Sequence, residues 1–150
     1  MPQGTIKQMA AWGLKKDRGL YAETDTLTLV YVSDTFASIS STAANPQLSD
    51  LTVESGGNVP ASTTLANYTI TGVGDEVTFD ADDPATILKD AANPDNVRCA
   101  VVINDTSAND DICFAFDLTT DGNTPIDLDT QDFSFMFHAD GITKGTYNNG

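Results

Sequence analysis

Two apolar segments separated by a short polar loop constrain the fold of this chain most strongly. Val97–Asn104 (VRCAVVIN) is apolar on both faces at its centre, which is typical of a buried central strand. The intervening loop Asp105–Asp111 is rich in residues that form turns. The second segment alternates along Ile112–Leu118, with its large side chains predicted to point inward: Ile112, Phe114, Phe116 and Leu118. The pattern predicts an antiparallel hairpin at the centre of a β-sheet.

Further short strands are predicted between turn signals along the chain. They cover Thr26–Val32, Phe36–Ile39, Leu51–Glu54, Tyr68–Thr71, Val77–Phe79, Ile126–Leu128 and Phe133–His138. A single short helix is predicted over Ile6–Leu14, because Ile6, Met9 and Ala10 lie at helical spacing. So many strands and so little helix predict an all-β fold, a single antiparallel sandwich or barrel of the Greek-key or jelly-roll type.

Charge divides the 150 residues into two unequal parts. Residues 1–18 hold four basic residues and one acid, a net of +3, whereas the rest of the chain holds 21 acids against three basic residues, a net of −18. We therefore expect an extended basic arm, residues 1–21, on one β domain, residues 22–150. The overall charge of −15 argues against nucleic acid and anionic membranes as partners, since both attract clustered lysine and arginine.

The two cysteines predict reduced thiols. A register symmetric about the hairpin loop places Cys99 opposite Phe116 and Cys113 opposite Val102. Opposed residues share a face and successive residues alternate, so the two cysteines are predicted to lie on opposite faces, where they cannot bond. We expect an intracellular folding compartment. Neither a membrane-spanning run nor a secretory signal is recognised in the sequence.

Clustered aspartates raise the question of a calcium site. Three groups stand out: Asp80, Asp82 and Asp83; Asp105, Asp110 and Asp111; and Asp121, Asp127 and Asp129. Calcium takes oxygen ligands from such loops, but aspartate also satisfies backbone amides in tight turns. No segment matches an EF-hand loop, so we interpret these residues as turn formers and predict neither a metal nor a cofactor.

Residues for catalysis are few. His138 is the single histidine, and no nucleophile signature surrounds Ser33, Ser40 or Cys113. We therefore predict that the protein is not an enzyme, with a small hydrolase as the weakest alternative. A calcium-dependent carbohydrate-binding or adhesion module is a further alternative, although such grooves usually expose several aromatic rings and Trp12 is the single tryptophan.

The order of several motifs resembles small virion proteins of tailed bacteriophages, of the head-decoration or cement type. The matching segments are Thr24–Leu27 (TDTL), LVYVSDTF ending at Phe36, Thr69–Asp83 (TITGVGDEVTFDADD), Val97–Leu118 and Phe133–Ile142 (FSFMFHADGI). Asn104, His138 and the glycine-poor segment Ser55–Ala66 depart from the family pattern. The resemblance covers most of residues 22–142 and implies no catalytic residues.

The resemblance implies a capsid decoration protein on the outer surface of the virion, made in the host cytoplasm. Its partner is then the major capsid protein, and a homotrimer is expected, with apolar residues of strands 26–32 and 133–137 as candidate trimer contacts. A tail, neck or fibre protein is the nearest alternative. The predicted capsid-binding residues lie in the arm: Ile6, Lys7, Met9, Trp12, Leu14, Lys15, Lys16 and Arg18. The alternative is that this arm packs on its own domain.

Overall fold

A computed structural model describes residues 6–8, 24–40, 46–73, 76–137 and 145–146. Most of the regular structure in these ranges is β-strand, with one 3-10 helix over Leu48–Asp50. The strands are β1 Ile6–Gln8, β2 Leu27–Val32, β3 Thr63–Thr64, β4 Thr69–Val73, β5 Glu76–Asp80, β6 Cys99–Asn104, β7 Asp111–Asp117 and β8 Gly145–Thr146. The predicted all-β class is confirmed.

The strands form two antiparallel sheets. The larger has the order β1-β7-β6-β2-β3 and the smaller the order β4-β5-β8. Between β2 and β6 the chain leaves the larger sheet, builds β4 and β5 of the smaller one, and then returns to pair with β2. Within the described residues the larger sheet is open, since β1 and β3 at its two ends do not pair with each other.

The central hairpin forms as predicted. Strand β6 lies between β2 and β7, and all three strands are buried along their whole length. The alternation in β7 had placed Cys113, Ala115 and Asp117 on a separate face, and these residues are also buried. Both faces of the larger sheet are therefore covered, and the three strands form the centre of the hydrophobic core.

A β-bulge interrupts the hairpin. Ile103 pairs with Ile112, but the neighbouring Val102 pairs with Phe114, so Cys113 is the extra residue on β7. The register on the loop side of the bulge is the symmetric one, and beyond it every pair is displaced by one residue. The predicted register assumed one partner on β7 for every residue of β6. Nothing in the sequence marks the extra residue on β7 that displaces the later pairs.

The bulge changes the placement of the two cysteines. Cys99 pairs with Asp117 instead of the predicted Phe116. Cys113 is the extra residue of the bulge, so its predicted pairing with Val102, on which the expectation of opposite faces rested, is wrong. Four residues of strand separate Cys113 from Asp117, the partner of Cys99, by about 13 Å, well beyond the reach of a disulfide. Both side chains are buried thiols.

The helix predicted for Ile6–Leu14 is wrong over its described part, because Ile6–Gln8 forms strand β1 at the edge of β7. Residues 9–14 lie outside the described residues. The helical spacing rested on three positions, a weak preference, whereas the outer N–H and C=O groups of β7 require partners. Pairing with β7 therefore determines the conformation of this segment.

Four other predicted strands form no regular strand. Leu51–Glu54 makes an isolated bridge, between Val53 and Val32. Phe36–Ile39 is a turn, in which the Ser38 backbone N–H donates to the Thr35 carbonyl at 2.9 Å, and both apolar ends are buried. Ile126–Leu128 forms no strand, and Phe133–Phe137 makes a single bridge, between Phe133 and Ile87. These segments pack their apolar side chains on the sheets without joining a ladder.

Aromatic rings connect the two sheets. Phe79 of β5 lies 5.1 Å from Phe114 of β7 and 5.8 Å from Phe137, measured between ring centroids. Phe135 stands edge-on to Phe116 at 5.1 Å. Such offset and edge-to-face contacts are the preferred arrangements of aromatic pairs. The cluster packs the segment after Phe133 and the smaller sheet on the same face of β7.

Candidate functional site

The predicted arm begins as part of the larger sheet. Its described residues lie in β1, where Ile6 pairs with Phe116 and Lys7 with Ala115. The other predicted arm residues lie outside the described residues: Met9, Trp12, Leu14, Lys15, Lys16 and Arg18. The structure thus places two of the eight residues at a sheet edge, which agrees for those two with the alternative that the arm packs on its own domain.

The chain after β1 and the start of β2 lie at the same end of the larger sheet. Gln8 pairs with Phe114, which pairs with Val102, which pairs with Leu29, only two residues into β2. The strands β1 and β2 are three positions apart, about 14 Å. Residues 9–26 span about 60 Å when extended, several times the separation they must bridge. The β6–β7 loop also lies at this end of the larger sheet, and this end is called the leader end below.

The predicted trimer contacts in β2 are not available at the surface. Every residue of Leu27–Val32 is at most 3% exposed, because β2 lies between β6 and β3 inside the core. In the second candidate segment Phe135 and Phe137 are also buried, whereas Met136 is 71% exposed. The core of a single chain thus buries most of the apolar residues that were predicted to contact a neighbouring subunit.

In the third aspartate cluster, the side chains of Asp121 and Asp127 make turn hydrogen bonds. Asp121 Oδ1 accepts the backbone N–H groups of Asn123 and Thr124, at 2.8 and 2.7 Å, and Oδ2 accepts the Thr124 hydroxyl. These bonds, led by the Thr124 hydroxyl, lower the pKa of Asp121 to about 2. Asp127 makes the same contacts with the Thr130 hydroxyl and with nearby N–H groups, and its pKa is also lowered.

Other acids bind backbone amides across longer distances in the sequence. Asp34 Oδ2 accepts from Thr52 N, Asp83 Oδ1 from Phe137 N, and Asp132 Oδ1 from Lys89 N, at 2.6, 2.7 and 2.8 Å. Within the described ranges, no group of three or more His, Cys, Asp or Glu side chains is placed to hold a metal ion. The oxygens of these carboxylates fix loops to one another, as turn and cross-loop residues do.

The predicted catalytic candidates are not brought together in the described structure. The Ser33 hydroxyl donates to the Thr52 carbonyl at 3.5 Å, Cys113 is buried in β7, and Ser40 is an exposed residue beyond the 36–39 turn. His138 lies outside the described residues, so no histidine accompanies any of these groups there.

A cleft of about 280 Å³ lies at the opposite end of the larger sheet, which we call the cleft end. It follows β7, and two loop segments line it: Leu118, Thr119, Thr120, Thr124, Pro125, Ile126 and Asp127 from one, Gln131, Asp132 and Phe133 from the other. The sequence did not reveal this site, because its lining lies within one stretch of turn residues, Leu118–Phe133, whose spacing matches no motif for a binding site. The local signal was the run of turn-forming residues in the first loop, TTDGNTP.

Asp117 organises the first wall of the cleft. It is fully buried, and its Oδ1 accepts both the backbone N–H and the hydroxyl of Thr119, at 3.0 and 2.7 Å. The Thr119 hydroxyl in turn accepts the Gly122 N–H at 2.7 Å. Gly122 has φ +80, a left-handed conformation that glycine adopts without steric cost. The turn after β7 is therefore fixed by one buried carboxylate.

Comparison with known proteins gives no relative. No protein-family model matches the sequence, and no curated protein or solved structure matches it significantly. Among the helices of the described residues, none has the length and apolar character needed to cross a membrane. Function must therefore be inferred from the residues and from the geometry.

Proposed function

We propose that the protein is a phage capsid decoration, or cement, protein that binds the assembled head and bridges neighbouring capsid subunits. One observation carries the proposal: the segments that resemble this class build a common core. Phe79, Phe114 and Phe137 come from three of those segments and pack together. The Asp83 carboxylate of the FDADD segment also accepts the Phe137 N–H at 2.7 Å. The matching segments thus belong to one folded unit, as the resemblance requires.

We propose further that the two sheets are the layers of a β-sandwich. Phe79 of the smaller sheet contacts Phe114 of the larger one, which supports face-to-face packing. Strands β4 and β5 are inserted between the neighbours β2 and β6, and this excursion supports the Greek-key connectivity that the sequence predicts.

The proposed action is thermodynamic. A protein that binds only the assembled, expanded shell stabilises it by mass action, in proportion to the free concentration and the affinity. A homotrimer on the outer surface matches the local three-fold positions of a capsid, because oligomer and site then share symmetry. Since β2 is buried, the trimer contact is proposed to lie on other surfaces, with the exposed Met136 as a candidate.

The basic residues and the apolar anchors of the arm are proposed to contact the major capsid protein. The net charge of +3 in residues 1–18 contrasts with −18 in the remainder, so the arm is the part of the chain suited to an acidic surface. Ile6 and Lys7 pair with β7 and position the arm on the body. The contact is then assigned to the residues beyond the sheet edge: Met9, Trp12, Leu14, Lys15, Lys16 and Arg18.

The test compares two full-length variants for binding to expanded capsids that lack decoration. One carries Trp12→Ala with Lys15→Ser, Lys16→Ser and Arg18→Ser, which spares β1; the other, a control, carries Lys89→Ser on the exposed surface. We expect the arm variant to lose capsid binding and to keep its oligomeric state and melting temperature, while Lys89→Ser binds normally. A shorter chain without residues 1–16 should also lose capsid binding, but it lacks β1 as well, so its melting temperature is expected to fall.

Equal binding by both variants would contradict the assignment of the arm. Binding of the wild-type protein to purified tails, with none to capsids, would instead support the tail, neck or fibre alternative. Localisation of the protein on the particle by electron cryo-microscopy separates these outcomes directly.

A further inference from the structure

We propose that the cleft after β7 is a binding site for a neutral saccharide about the size of a single sugar ring. The proposal goes beyond capsid decoration and does not depend on it, since it uses only described residues and none of the residues assigned to the capsid contact. It rests on three properties of the cleft: preformed walls, a particular set of polar groups, and an apolar surface beside them.

The first wall is fixed before any ligand binds. The Arg98 Nε–H donates to the Asn123 carbonyl at 2.6 Å, and the Ile126 N–H donates to the Val97 carbonyl at 2.9 Å. The Asp121 carboxylate closes the turn before Ile126 by accepting the N–H and the hydroxyl of Thr124. Both ends of the loop are thereby attached to the start of β6, so the cleft needs little ordering when a ligand enters.

The second wall is equally constrained. The Lys89 N–H donates to Asp132 Oδ1 at 2.8 Å, and Phe133 exchanges two backbone hydrogen bonds with Ile87, at 2.8 and 2.9 Å. The Asp127 carboxylate binds Thr130 at the turn that precedes this wall. The two walls therefore present a cleft of fixed width.

The unused polar groups in the cleft suit a hydroxylated ligand. Thr120, Gln131 and Asp132 are exposed at the cleft, and among the described residues neither Thr120 nor Gln131 makes a hydrogen bond within the protein, while Asp132 Oδ2 accepts none. The Thr124 hydroxyl donates to Asp121 and keeps its capacity to accept. The lining thus offers both donors and acceptors within one small space, and sugar hydroxyls can donate and accept at the same time.

Other ligand classes fit less well. An anion would meet Asp127 and Asp132 with no basic side chain in the lining. A cation would find the oxygens of Asp127 already occupied by Thr130 and nearby N–H groups, and one open carboxylate oxygen on Asp132. The volume of about 280 Å³ lies near the lower limit of small-molecule sites, which favours a single ring.

Apolar surface lies beside these polar groups. Pro125 and the half-buried Phe133 line the cleft, and Phe133 is held edge-on against Tyr31 at 6.3 Å between ring centroids. A sugar ring combines hydroxyl edges with a C–H face, and that face can pack on an aromatic ring. Polar and apolar groups are therefore arranged as a monosaccharide requires.

The test is a titration of the ¹⁵N-labelled full-length protein with glucose, galactose, mannose and N-acetylglucosamine at millimolar concentration, followed by amide chemical shifts. We expect at least one sugar to shift the amides of Thr120, Thr124, Gln131 and Phe133 in a saturable way. Gln131→Ala and Thr120→Ala should each weaken binding by about fivefold to tenfold, the effect of one lost hydrogen bond. Asn109→Ala, an exposed amide at the leader end, is the matched control and should bind normally.

Three results would overturn the proposal. They are the absence of saturable shifts with every sugar, equal binding by wild type and the two cleft variants, and shifts at the cleft with arginine amide or phosphate but with no sugar. Circular dichroism of each variant shows that a loss of binding does not come from unfolding. None of these results bears on capsid binding, which is measured separately on expanded heads.

Discussion

At the scale of single residues, Asn93 shows how one buried polar side chain can hold several loops. Its Oδ1 accepts the Asn58 N–H at 2.7 Å, and its Nδ2 donates to the carbonyls of Leu88 and Leu128, both at 2.9 Å. Gly57 packs so closely that a Cβ there would lie 2.5 Å from Asn93 Oδ1. The side chain is 4% exposed, so water cannot replace these bonds.

We predict that Asn93→Ala lowers the free energy of unfolding by about 1–3 kcal/mol, because it removes three hydrogen bonds of a buried side chain and leaves the Asn58 N–H without its partner. The Leu88 and Leu128 carbonyls keep a second donor each, Asn58 Nδ2 and the Asp90 N–H. Urea denaturation followed by circular dichroism measures the change. Asn96→Ala, an exposed asparagine nearby, is the control and should change stability by less than about 0.5 kcal/mol. A loss at Asn93 no larger than that of the control would show that the three loops are held together in another way.

The carboxylates of Asp121 and Asp127 predict a particular acid sensitivity. Hydrogen bonds from Thr124 lower the pKa of Asp121 to about 2, and those from Thr130 lower the pKa of Asp127. A group whose pKa is lower in the folded state stabilises the fold above its unfolded pKa and loses that contribution as the pH falls through the folded value. The stabilisation is therefore present at pH 5 and is lost between about pH 4 and pH 2.

The double variant Asp121→Asn, Asp127→Asn should lose less stability than wild type over that pH interval, because neither amide titrates. Urea midpoints at pH 5, 4, 3 and 2 measure the two slopes. Asp95→Asn, an exposed acid, is the control and should follow wild type. Parallel pH profiles for wild type and the double variant would contradict the assigned cause of the pKa shifts.

At the scale of elements, the outer edge of β7 depends on β1. The Leu118 N–H bonds to the Arg98 carbonyl, so Phe116 and Phe114 direct their backbone groups toward β6 and Ala115 directs its own toward β1. Ala115 pairs there with Lys7. Strand β1 is short, yet it covers the centre of a fully buried strand.

We predict that deleting residues 1–8 lowers the hydrogen-exchange protection of the Ala115 amide by about tenfold or more, since its partner is removed. The amides of Phe114 and Phe116 bond to β6 and should keep most of their protection, which makes them internal controls. Equal loss at all three amides would indicate that the deletion loosens the whole hairpin. Unchanged protection at Ala115 would contradict pairing with β1.

Elements differ in how far the sequence reveals them. Strands β2, β6 and β7 were predictable, because continuous runs of β-branched and aromatic residues are sufficient evidence of buried strands. The Cys113 bulge was not, since one extra residue in a strand leaves no mark in an alternating pattern. Strand β1 was mistaken for a helix because its conformation depends on a partner more than a hundred positions away. The cleft has a different origin: its lining lies within Leu118–Phe133, and the conformation of these turns is not encoded in any spacing that the sequence shows.

At the scale of the whole molecule, the two ends of the larger sheet have different roles in the proposals. Strand β1 ends and β2 begins at the leader end, where the β6–β7 loop also lies, and the cleft follows β7 at the other end. Strands of six or seven residues separate the two ends by about 20 Å. If the arm contacts the capsid, the leader end faces the shell and the cleft end faces solvent.

This orientation predicts which positions a capsid protects. Ala108→Cys places a thiol on the exposed β6–β7 loop and Asn123→Cys places one on the exposed loop at the cleft, while the native Cys99 and Cys113 are buried and give little background. In the free protein, a polyethylene-glycol maleimide should modify both variants at similar rates. On decorated capsids we expect modification at Asn123→Cys to continue and modification at Ala108→Cys to slow by about tenfold or more, as measured by gel shift over time. The reverse pattern would place the cleft against the shell and overturn the orientation, even if the arm proved necessary for binding.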